Sequence, residues 1–340
     1  MGSCDTIYSI YRENARIKWI DNAKSIGIVL VVLGHLLPND NLLKTWIYSF
    51  HMPMFFIISG FLFTVNNYGI IERIKRRAKT LLLPYVIYFA LSLMIYFVAD
   101  FNLADVANKF IMLDSLTIWN SPLWFLYVLF FSEILFAAVH KLAKTDNARY
   151  IYIILSAFIG YVLYAILPIR HFAIEKIMLG SSFLAIGWYL KSSKIFEKIQ
   201  AGSKKLMISL ILIIVNVLVG VIINKPTISM YGFELNNYWL FFISAISGSA
   251  FLFLLCDTLI QSKLMKIYAS GTLFIMCTHY IVVFIYNNIV DRNSLPWYIT
   301  TASSIIITLI IFTMYIPAIK IAERWFPLLL GIHYKQKIIK

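Results

Sequence analysis

Long apolar segments with few or no charged residues recur along this chain and constrain its fold more than any other feature. Residues 206–223, which read LMISLILIIVNVLVGVII, form one such segment. Lipid offers no hydrogen-bond partner to exposed backbone amides, so a segment of this length is expected to cross a bilayer as an α-helix. A barrel strand would instead alternate apolar and polar residues over roughly ten positions. The sequence therefore predicts an all-α, polytopic integral membrane protein.

Ten segments of this kind can be assigned, and they occupy most of the chain. A helical crossing takes roughly 20 residues, so 340 residues allow about ten crossings with their loops. Charged residues make up 14% of the chain, against roughly 25% in soluble domains. The predicted spans are 19–37, 46–66, 79–99, 123–142, 150–167, 172–190, 205–223, 238–260, 267–290 and 298–321. They form one transmembrane domain, 19–321, between an N-terminal segment, 1–18, and a basic tail, 322–340.

The distribution of basic residues between alternate loops predicts the orientation of these spans. If residue 1 is cytoplasmic, six of the 30 basic residues fall on the outer side and the other 24 on the inner side. The six are Lys44, Lys109, Arg170, Lys176, Lys225 and Arg292. Basic residues near span ends favour the cytoplasmic side, so both termini are expected there. Topology and contact with anionic lipid then explain the net charge of +14, and no nucleic-acid partner is expected.

Three histidines fall inside predicted spans, where an ionisable side chain is costly and therefore indicates a function. His35 lies near the outer end of the first span, His51 near the start of the second, and His279 near the middle of the ninth. At a rise of about 1.5 Å per residue, all three can lie in the outer half of the membrane. Each one alone can also hydrogen-bond a neighbouring helix, and the sequence leaves both interpretations open. His140, at the end of a span, is expected to be solvated.

A buried carboxylate and a basic cluster are further candidates for chemistry. Glu133 lies well inside the fourth span, where it needs a partner or a proton. It can assist a histidine, bind the hydroxyl of an acceptor, or serve the structure alone. The densest basic run, 73–79, precedes the third span on the predicted cytoplasmic side, where it suits a phosphate-bearing ligand or marks topology. Asp21 is expected to pair with Lys24, three residues later on the same helical face.

Several short motifs follow one another in a particular order. Lys24 precedes His35 by eleven residues, and residues 50–61 read FHMPMFFIISGF. The basic run then leads into a Pro-Tyr pair at 84–85, followed by PLWFL and, late in the chain, by SGTLFIMCTH ending at His279. Each motif alone is loose, but their order and spacing together are specific. Over essentially its whole length the chain resembles membrane acyltransferase family 3, in particular the branch similar to fucose 4-O-acetylase.

This resemblance implies an activity and a catalytic residue. It implies transfer of an acyl group, usually acetyl from acetyl-CoA, to a sugar hydroxyl of an envelope polysaccharide or its lipid-linked precursor. A bacterial inner membrane is the location it implies. The histidine of the first helix is the catalytic candidate in the family, which corresponds to His35. We take His51, His279 and Glu133 as further catalytic candidates.

The resemblance also implies a set of donor-binding residues at the cytoplasmic end. The family's basic partner in the first helix is most often arginine, whereas this chain has Lys24, which keeps the charge but loses the bidentate fork. Asp21 is expected to orient it. The family's Arg-x-x-Arg element matches Arg73-x-x-Arg76 in form, but Arg76-x-x-Lys79 by its distance from the proline. The candidates for binding the CoA part of the donor are Lys24, Asp21, Arg73, Arg76, Arg77 and Lys79.

The chemistry required of such an enzyme agrees with these residues. A thioester is already activated, so attack by a hydroxyl mainly needs a base, a role that histidine fills near neutral pH. Three cysteines form no disulfide framework, and neither a metal nor a permanently bound cofactor is expected. A transporter or flippase subunit for a saccharide, or a non-enzymatic glycan-binding scaffold, would also have many spans. The motif order and the absence of a clear internal repeat favour the acyltransferase.

Overall fold

The computed structural model describes residues 17–64, 69–98, 119–143, 145–166, 173–199, 202–290 and 296–332. These residues form a bundle of α-helices, and the β-structure within the described ranges is one isolated bridge between Ser229 and Glu234. The predicted all-α membrane fold is therefore confirmed. In chain order the helices of more than four residues are α1 Lys18–Leu36, α2 Leu42–Tyr48, α3 His51–Phe61, α4 Ile70–Arg77 continued by a π-helical segment Ala78–Leu82 and Leu83–Val98, α5 Trp124–Leu142 and α6 Asp146–Ile166. They continue with α7 Ile174–Ser192, α8 Ser203–Val217 extended by a π-helical segment Leu218–Ile223, α9 Tyr238–Thr258, α10 Lys263–Ser270, α11 Thr272–Ile289 and α12 Trp297–Trp325.

Most of the predicted spans correspond to one long apolar helix each. Seven helices in the described part of the chain are long and apolar enough to cross a membrane, and the bent pair α10–α11 raises the number to eight. The predicted second span is divided between the short helices α2 and α3, and α7 carries Glu175, Lys176 and Lys191. All ten predicted segments are helical over most of their described length. Ten crossings and cytoplasmic termini stay predictions.

Helix α1 lies in the centre of the bundle. It contacts α2, α3, α9, α10, α11 and α12, and two thirds of its apolar window is buried. Its buried positions include the small residues Ala23, Ser25, Gly27 and Gly34, which let neighbouring helices approach closely. Helices α6 and α8 lie at the periphery and expose isoleucine and leucine side chains, as expected of surfaces that face lipid.

Two glycines bring α3 and α7 into backbone contact. A Cβ atom on Gly60 would lie 1.8 Å from the carbonyl oxygen of Leu184, and one on Gly187 would lie 1.9 Å from the carbonyl oxygen of Ile57. No side chain larger than hydrogen fits at either position. This reciprocal packing holds α3, which begins at His51, against the rest of the bundle.

The second predicted span breaks before its proline. Helix α2 ends at Tyr48, a turn follows at 49–50, and α3 begins at His51. Pro53 lies in the first turn of α3, where its missing N–H leaves no helical hydrogen bond unmade. A proline at 53 is thus compatible with a new helix start, and the break beside His51 comes from two short helices instead of one kinked helix.

The predicted cytoplasmic end of the bundle differs from the sequence prediction at two points. Helix α12 continues to Trp325, beyond the predicted limit of the last span. The expectation that His140 is solvated is wrong, because its side chain packs among Phe63, Phe136 and Trp188 and is 8% exposed. The N-terminal residues 1–16 and the end of the basic tail, 333–340, lie outside the described residues.

Candidate functional site

A pocket lies where α1, α2, α3, α5 and the connection 224–237 meet. Its wall combines two of the predicted histidines with aromatic and hydroxyl-bearing side chains and with apolar residues. The residues that bear on chemistry are His35, Tyr48, His51, Trp124, Ser229 and Tyr231. Such a mainly apolar cavity with a few convergent polar groups is typical of a small-molecule site.

His35 makes several contacts with side chains beside this pocket. The Tyr48 hydroxyl and His35 Nδ1 form a hydrogen bond of 3.2 Å. On its other sides the imidazole of His35 contacts the rings of His279 and Tyr280, each with a centroid separation of 5.2 Å. Tyr48 in turn contacts the ring of His51 at 4.8 Å between centroids. The three predicted histidines, which come from α1, α3 and α11, therefore belong to one cluster.

Two of these histidines have a defined tautomer. His51 Nδ1 donates a hydrogen bond of 2.8 Å to the carbonyl oxygen of Ile47, and His279 Nδ1 donates one of 2.8 Å to that of Ile275. A carbonyl only accepts, so in the neutral ring the proton lies on Nδ1 and Nε2 carries a lone pair. His279 Nε2 is buried and has no hydrogen-bond partner among the described residues. Both rings thus offer a hydrogen-bond acceptor in or next to the pocket.

Small and polar residues hold this cluster in place. A Cβ atom on Gly34 would lie 2.9 Å from the ring of Tyr48, so glycine is what lets Tyr48 reach His35. Lys44 Nζ donates to the carbonyl oxygen of Leu37 at 3.1 Å and lies 5.3 Å from the centre of the Tyr48 ring. These contacts fix the loop from α1 to α2.

Asn120 fixes the position of the segment that leads into α5. Its side-chain amide donates to the carbonyl oxygen of Cys277 at 2.9 Å and to Ser92 Oγ at 3.1 Å. These bonds join the segment before α5 to α11 and α4, two residues before Pro122 enters the pocket wall. The position of Trp124 thus depends on contacts from helices that are distant in sequence.

Glu133 lies apart from the histidines, in an ion cluster with two arginines of the basic run. Its carboxylate pairs with Arg77 and lies 3.8 Å from Arg73. Glu133 is nine residues beyond Trp124 on α5, so it is roughly 13 Å farther along that helix than the pocket. Its partners are cations from α4, and its role as a catalytic candidate stays a prediction. Its carboxylate fixes two of the predicted donor-binding residues.

The remaining predicted donor-binding residues lie on the same predicted cytoplasmic side. Arg76 and Lys79 are exposed, and Arg76 donates to Glu72 at 2.7 Å, whereas Arg73 and Arg77 turn inward to Glu133. Asp21 accepts a hydrogen bond of 3.2 Å from Gln261, and Lys24 is half-buried. Lys24 and His35 are eleven residues apart on α1, or roughly 16 Å. No group of histidine, cysteine, aspartate or glutamate side chains within the described ranges is arranged to hold a metal ion.

Comparison with known proteins identifies the family of this bundle. The family model for the acyltransferase domain, acyltransferase family 3, matches residues 17–319. The chain belongs to this family. The match includes every helix that contributes to the histidine cluster and to the ion cluster around Glu133. The predicted resemblance is therefore confirmed, and the bundle is a membrane acyltransferase domain.

Two curated relatives are similar to parts of the chain. Nodulation protein NolL of Sinorhizobium fredii is 34% identical over 158 residues, which are 42% of this chain and 41% of that protein. Nodulation protein NolL of Mesorhizobium japonicum is 30% identical over 192 residues, which are 52% of this chain and 50% of that protein. The chain thus spans about half the length of these relatives or less. No solved structure matches it.

Sequence reasoning missed part of the pocket. Tyr48 stands three residues before His51, a spacing that could have been noticed, but a helix break separates the two. Tyr280 directly follows His279, and nothing marks it as a neighbour of His35. Ser229 and Tyr231 come from an irregular connection far along the chain, and no local pattern indicates that they reach the first helices.

Proposed function

We propose that this protein transfers an acetyl or other acyl group from acyl-CoA to a hydroxyl of an envelope polysaccharide or its lipid-linked precursor. The observation that carries the proposal is the meeting of His35, His51 and His279 beside one pocket, in a chain of the acyltransferase family. The membrane would be the bacterial inner membrane. Acyl-CoA is a donor substrate here, and the CoA thiol leaves after each turnover.

The reaction needs one base and no covalent intermediate on the protein. His35 takes the proton from the acceptor hydroxyl as its oxygen attacks the thioester carbonyl carbon. The C–S bond then breaks, the acyl group stays on the sugar oxygen as an ester, and the CoA sulfur receives the proton. His35 suits the role because its side chain lines the pocket and a tyrosine hydroxyl orients it. His51 and His279, with acceptor Nε2 atoms, are further candidates to bind the hydroxyl.

The donor would enter from the predicted cytoplasmic side. CoA carries several phosphate charges, and the cations around α4 and the inner half of α1 supply the opposite charge. Arg73 and Arg77 are held by Glu133, while Arg76 and Lys79 are exposed for a first encounter. With Lys24 roughly 16 Å from His35 along α1, the phosphates can bind at one end of the helix while the thioester reaches the other.

A single substitution tests this function. His35→Ala removes the base, and general bases contribute about 10²- to 10⁴-fold, so acetyl incorporation should fall at least about 100-fold. The measurement is mass spectrometry of envelope glycans from cells that carry the wild type, the variant or no protein. His140→Ala is the matched control, since His140 lies on α5 outside the pocket. Both variants should insert in the membrane in equal amounts.

The outcome separates the enzyme from a transporter. Glycans from cells without the protein should lack an acyl mass that the wild type restores. A normal acyl mass in cells with His35→Ala would exclude His35 as the base. An acyl mass that does not depend on the protein at all would overturn the transferase proposal.

A further inference from the structure

The connection between α8 and α9, residues 224–237, is long for a link between packed helices. It contains one isolated bridge and is otherwise irregular. Connections of this length without regular structure are uncommon in compact domains and usually carry a function. On the predicted topology it lies on the outer side, and it enters the wall of the histidine pocket.

Three apolar side chains anchor this connection to the bundle. Ile228, Phe233 and Leu235 are fully buried, and Phe233 contacts the ring of Tyr164 at 5.2 Å between centroids. Burial of apolar side chains stabilises a structure, so the connection is held by its own packing.

Hydrogen bonds fix the path of the backbone between these anchors. The Asn224 side chain accepts from the amide of Asn237 at 2.9 Å and donates to the carbonyl oxygen of Leu235 at 3.1 Å. Two backbone bonds of 2.9 Å join Ser229 and Glu234. The connection thus has a defined shape where it meets the pocket.

A second set of bonds joins the connection to the helices that carry the site. Thr227 Oγ1 donates to the carbonyl oxygen of Asn39 at 2.7 Å and lies 2.7 Å from Thr45 Oγ1 on α2. Thr45 is three residues before Tyr48, the hydrogen-bond partner of His35. The segment just before residues 229–231 is therefore tied to the helix that carries Tyr48.

We propose that the connection is the acceptor-binding wall of this site, with Tyr231 and Trp124 holding the sugar ring and Ser229 bonding one of its hydroxyls. The inference rests on the proposed function. Aromatic faces are partly negative and attract the weakly positive C–H groups of a sugar ring, while a serine hydroxyl both donates and accepts. Both aromatic residues and Ser229 line the same pocket as His35 and His51.

The distribution of charged residues favours binding of the sugar acceptor, and not of the CoA donor, at this wall. The cations suited to CoA phosphates, Arg73 and Arg77, pair with Glu133, roughly 13 Å farther along α5 than Trp124. The polar and aromatic side chains that line the wall carry no charge. The ammonium group of Lys176, 5.8 Å from the centre of the Tyr231 ring, lies 3.9 Å from the carboxylate of Glu175. The wall therefore suits a neutral saccharide whose reacting hydroxyl points inward to His35.

Initial rates of acetyl transfer by the full-length protein in detergent test this assignment. The acceptor is the envelope glycan fraction extracted from cells that lack the protein, titrated by mass, with acetyl-CoA labelled in its acetyl group. For Tyr231→Ala we expect the half-saturating glycan concentration to rise about 10-fold, while the KM for acetyl-CoA changes less than twofold. Tyr231→Phe, which keeps the ring, should stay within threefold of the wild type.

Tyr298→Ala is the matched control, since Tyr298 is an exposed tyrosine near the start of α12. It should leave both half-saturation values unchanged. An unchanged glycan half-saturation in Tyr231→Ala, or equal changes for glycan and acetyl-CoA, would overturn the acceptor assignment while the transferase stands. If the wild type transfers no label to this glycan, the proposed function fails instead. An unchanged acetyl-CoA KM also shows that Tyr231→Ala is folded.

Discussion

At the scale of single residues, the orientation of His35 depends on a neighbour that carries no charge. The Tyr48 hydroxyl bonds His35 Nδ1 at 3.2 Å, which restrains the orientation of the imidazole ring. Tyr48 also contacts the ring of His51, so one side chain touches two of the three histidines. Because its hydroxyl bonds the ring of His35, we expect Tyr48 to act as a positioning residue.

Loss of the Tyr48 hydroxyl should slow the reaction without weakening substrate binding. A hydrogen bond contributes about 0.5–1.5 kcal/mol net, so Tyr48→Phe should lower kcat by about 2- to 12-fold. Both half-saturation values should stay within twofold, since the ring and its packing are retained. Steady-state kinetics with labelled acetyl-CoA measure this change.

Tyr286→Phe is the control for that measurement. Tyr286 lies on α11 beyond His279, and its hydroxyl bonds Ser303 at 2.8 Å. It therefore also loses one hydroxyl hydrogen bond, but outside the pocket. An equal decrease of kcat in both variants would mean that Tyr48 contributes only to general stability.

At the scale of helices, the contact between α3 and α7 depends on the absence of two side chains. Gly60 and Gly187 each face backbone atoms of the other helix at distances that exclude a methyl group. A backbone neighbour cannot rotate away as a flexible side chain can. The helix that begins with His51 is positioned by this contact.

An added methyl group at either glycine should therefore destabilise the bundle. Overpacking of a well-packed contact costs about 1–3 kcal/mol, and we expect Gly60→Ala and Gly187→Ala to reach or exceed the upper part of that range. The measurement is the fraction of monodisperse protein that survives heating in detergent.

The chain supplies its own control for this experiment. Gly69 precedes α4, has a φ of −64° and would meet nothing within 4 Å. Gly69→Ala should leave the unfolding temperature unchanged. If Gly60→Ala and Gly187→Ala unfold at the wild-type temperature as well, then α3 and α7 do not pack as closely as described.

At the scale of the whole molecule, basic residues and histidines lie at different depths of one bundle. Arg73 and Arg77 pair with Glu133, while His35 and its neighbours lie beside the pocket at the other end of α5. On the predicted topology this places the donor charge inside and the acceptor pocket outside.

That arrangement predicts that the reaction occurs only when acetyl-CoA has access to the cytoplasmic face of the membrane. Acetyl-CoA is charged and does not cross a bilayer unaided, so sealed vesicles with their cytoplasmic face outward should transfer added label. Sealed vesicles of the opposite orientation should transfer none until detergent opens them. Labelled acetate on extracted glycan is the measurement, and protease access to a tag on the C-terminal tail establishes the orientation. Equal rates in both sealed preparations would contradict the predicted sidedness.

Much of the fold was predictable, because lipid allows few alternatives to helices. The apolar segments predicted the limits of α1, α5, α8 and α9 to within a few residues. The division of the second span into two helices was not predictable. A proline in the first turn of a new helix and a proline at a kink within one helix look alike in sequence. The burial of His140 was also missed, since the aromatic residues around it come from α5, α7 and the segment after α3.

The sequence by itself determined that this protein is a helical membrane protein, which family it belongs to and which histidines are candidates for chemistry. These follow from local properties, namely segment length, charge at segment ends and the order of short motifs. Only the tertiary structure decided which residues meet. It joined His35 to Tyr48 and His279, assigned Glu133 to Arg73 and Arg77, and brought 229–231 to the pocket. Such contacts depend on how helices that are far apart in sequence pack against each other. Hydrophobic periodicity and motif spacing are local properties and do not predict this packing.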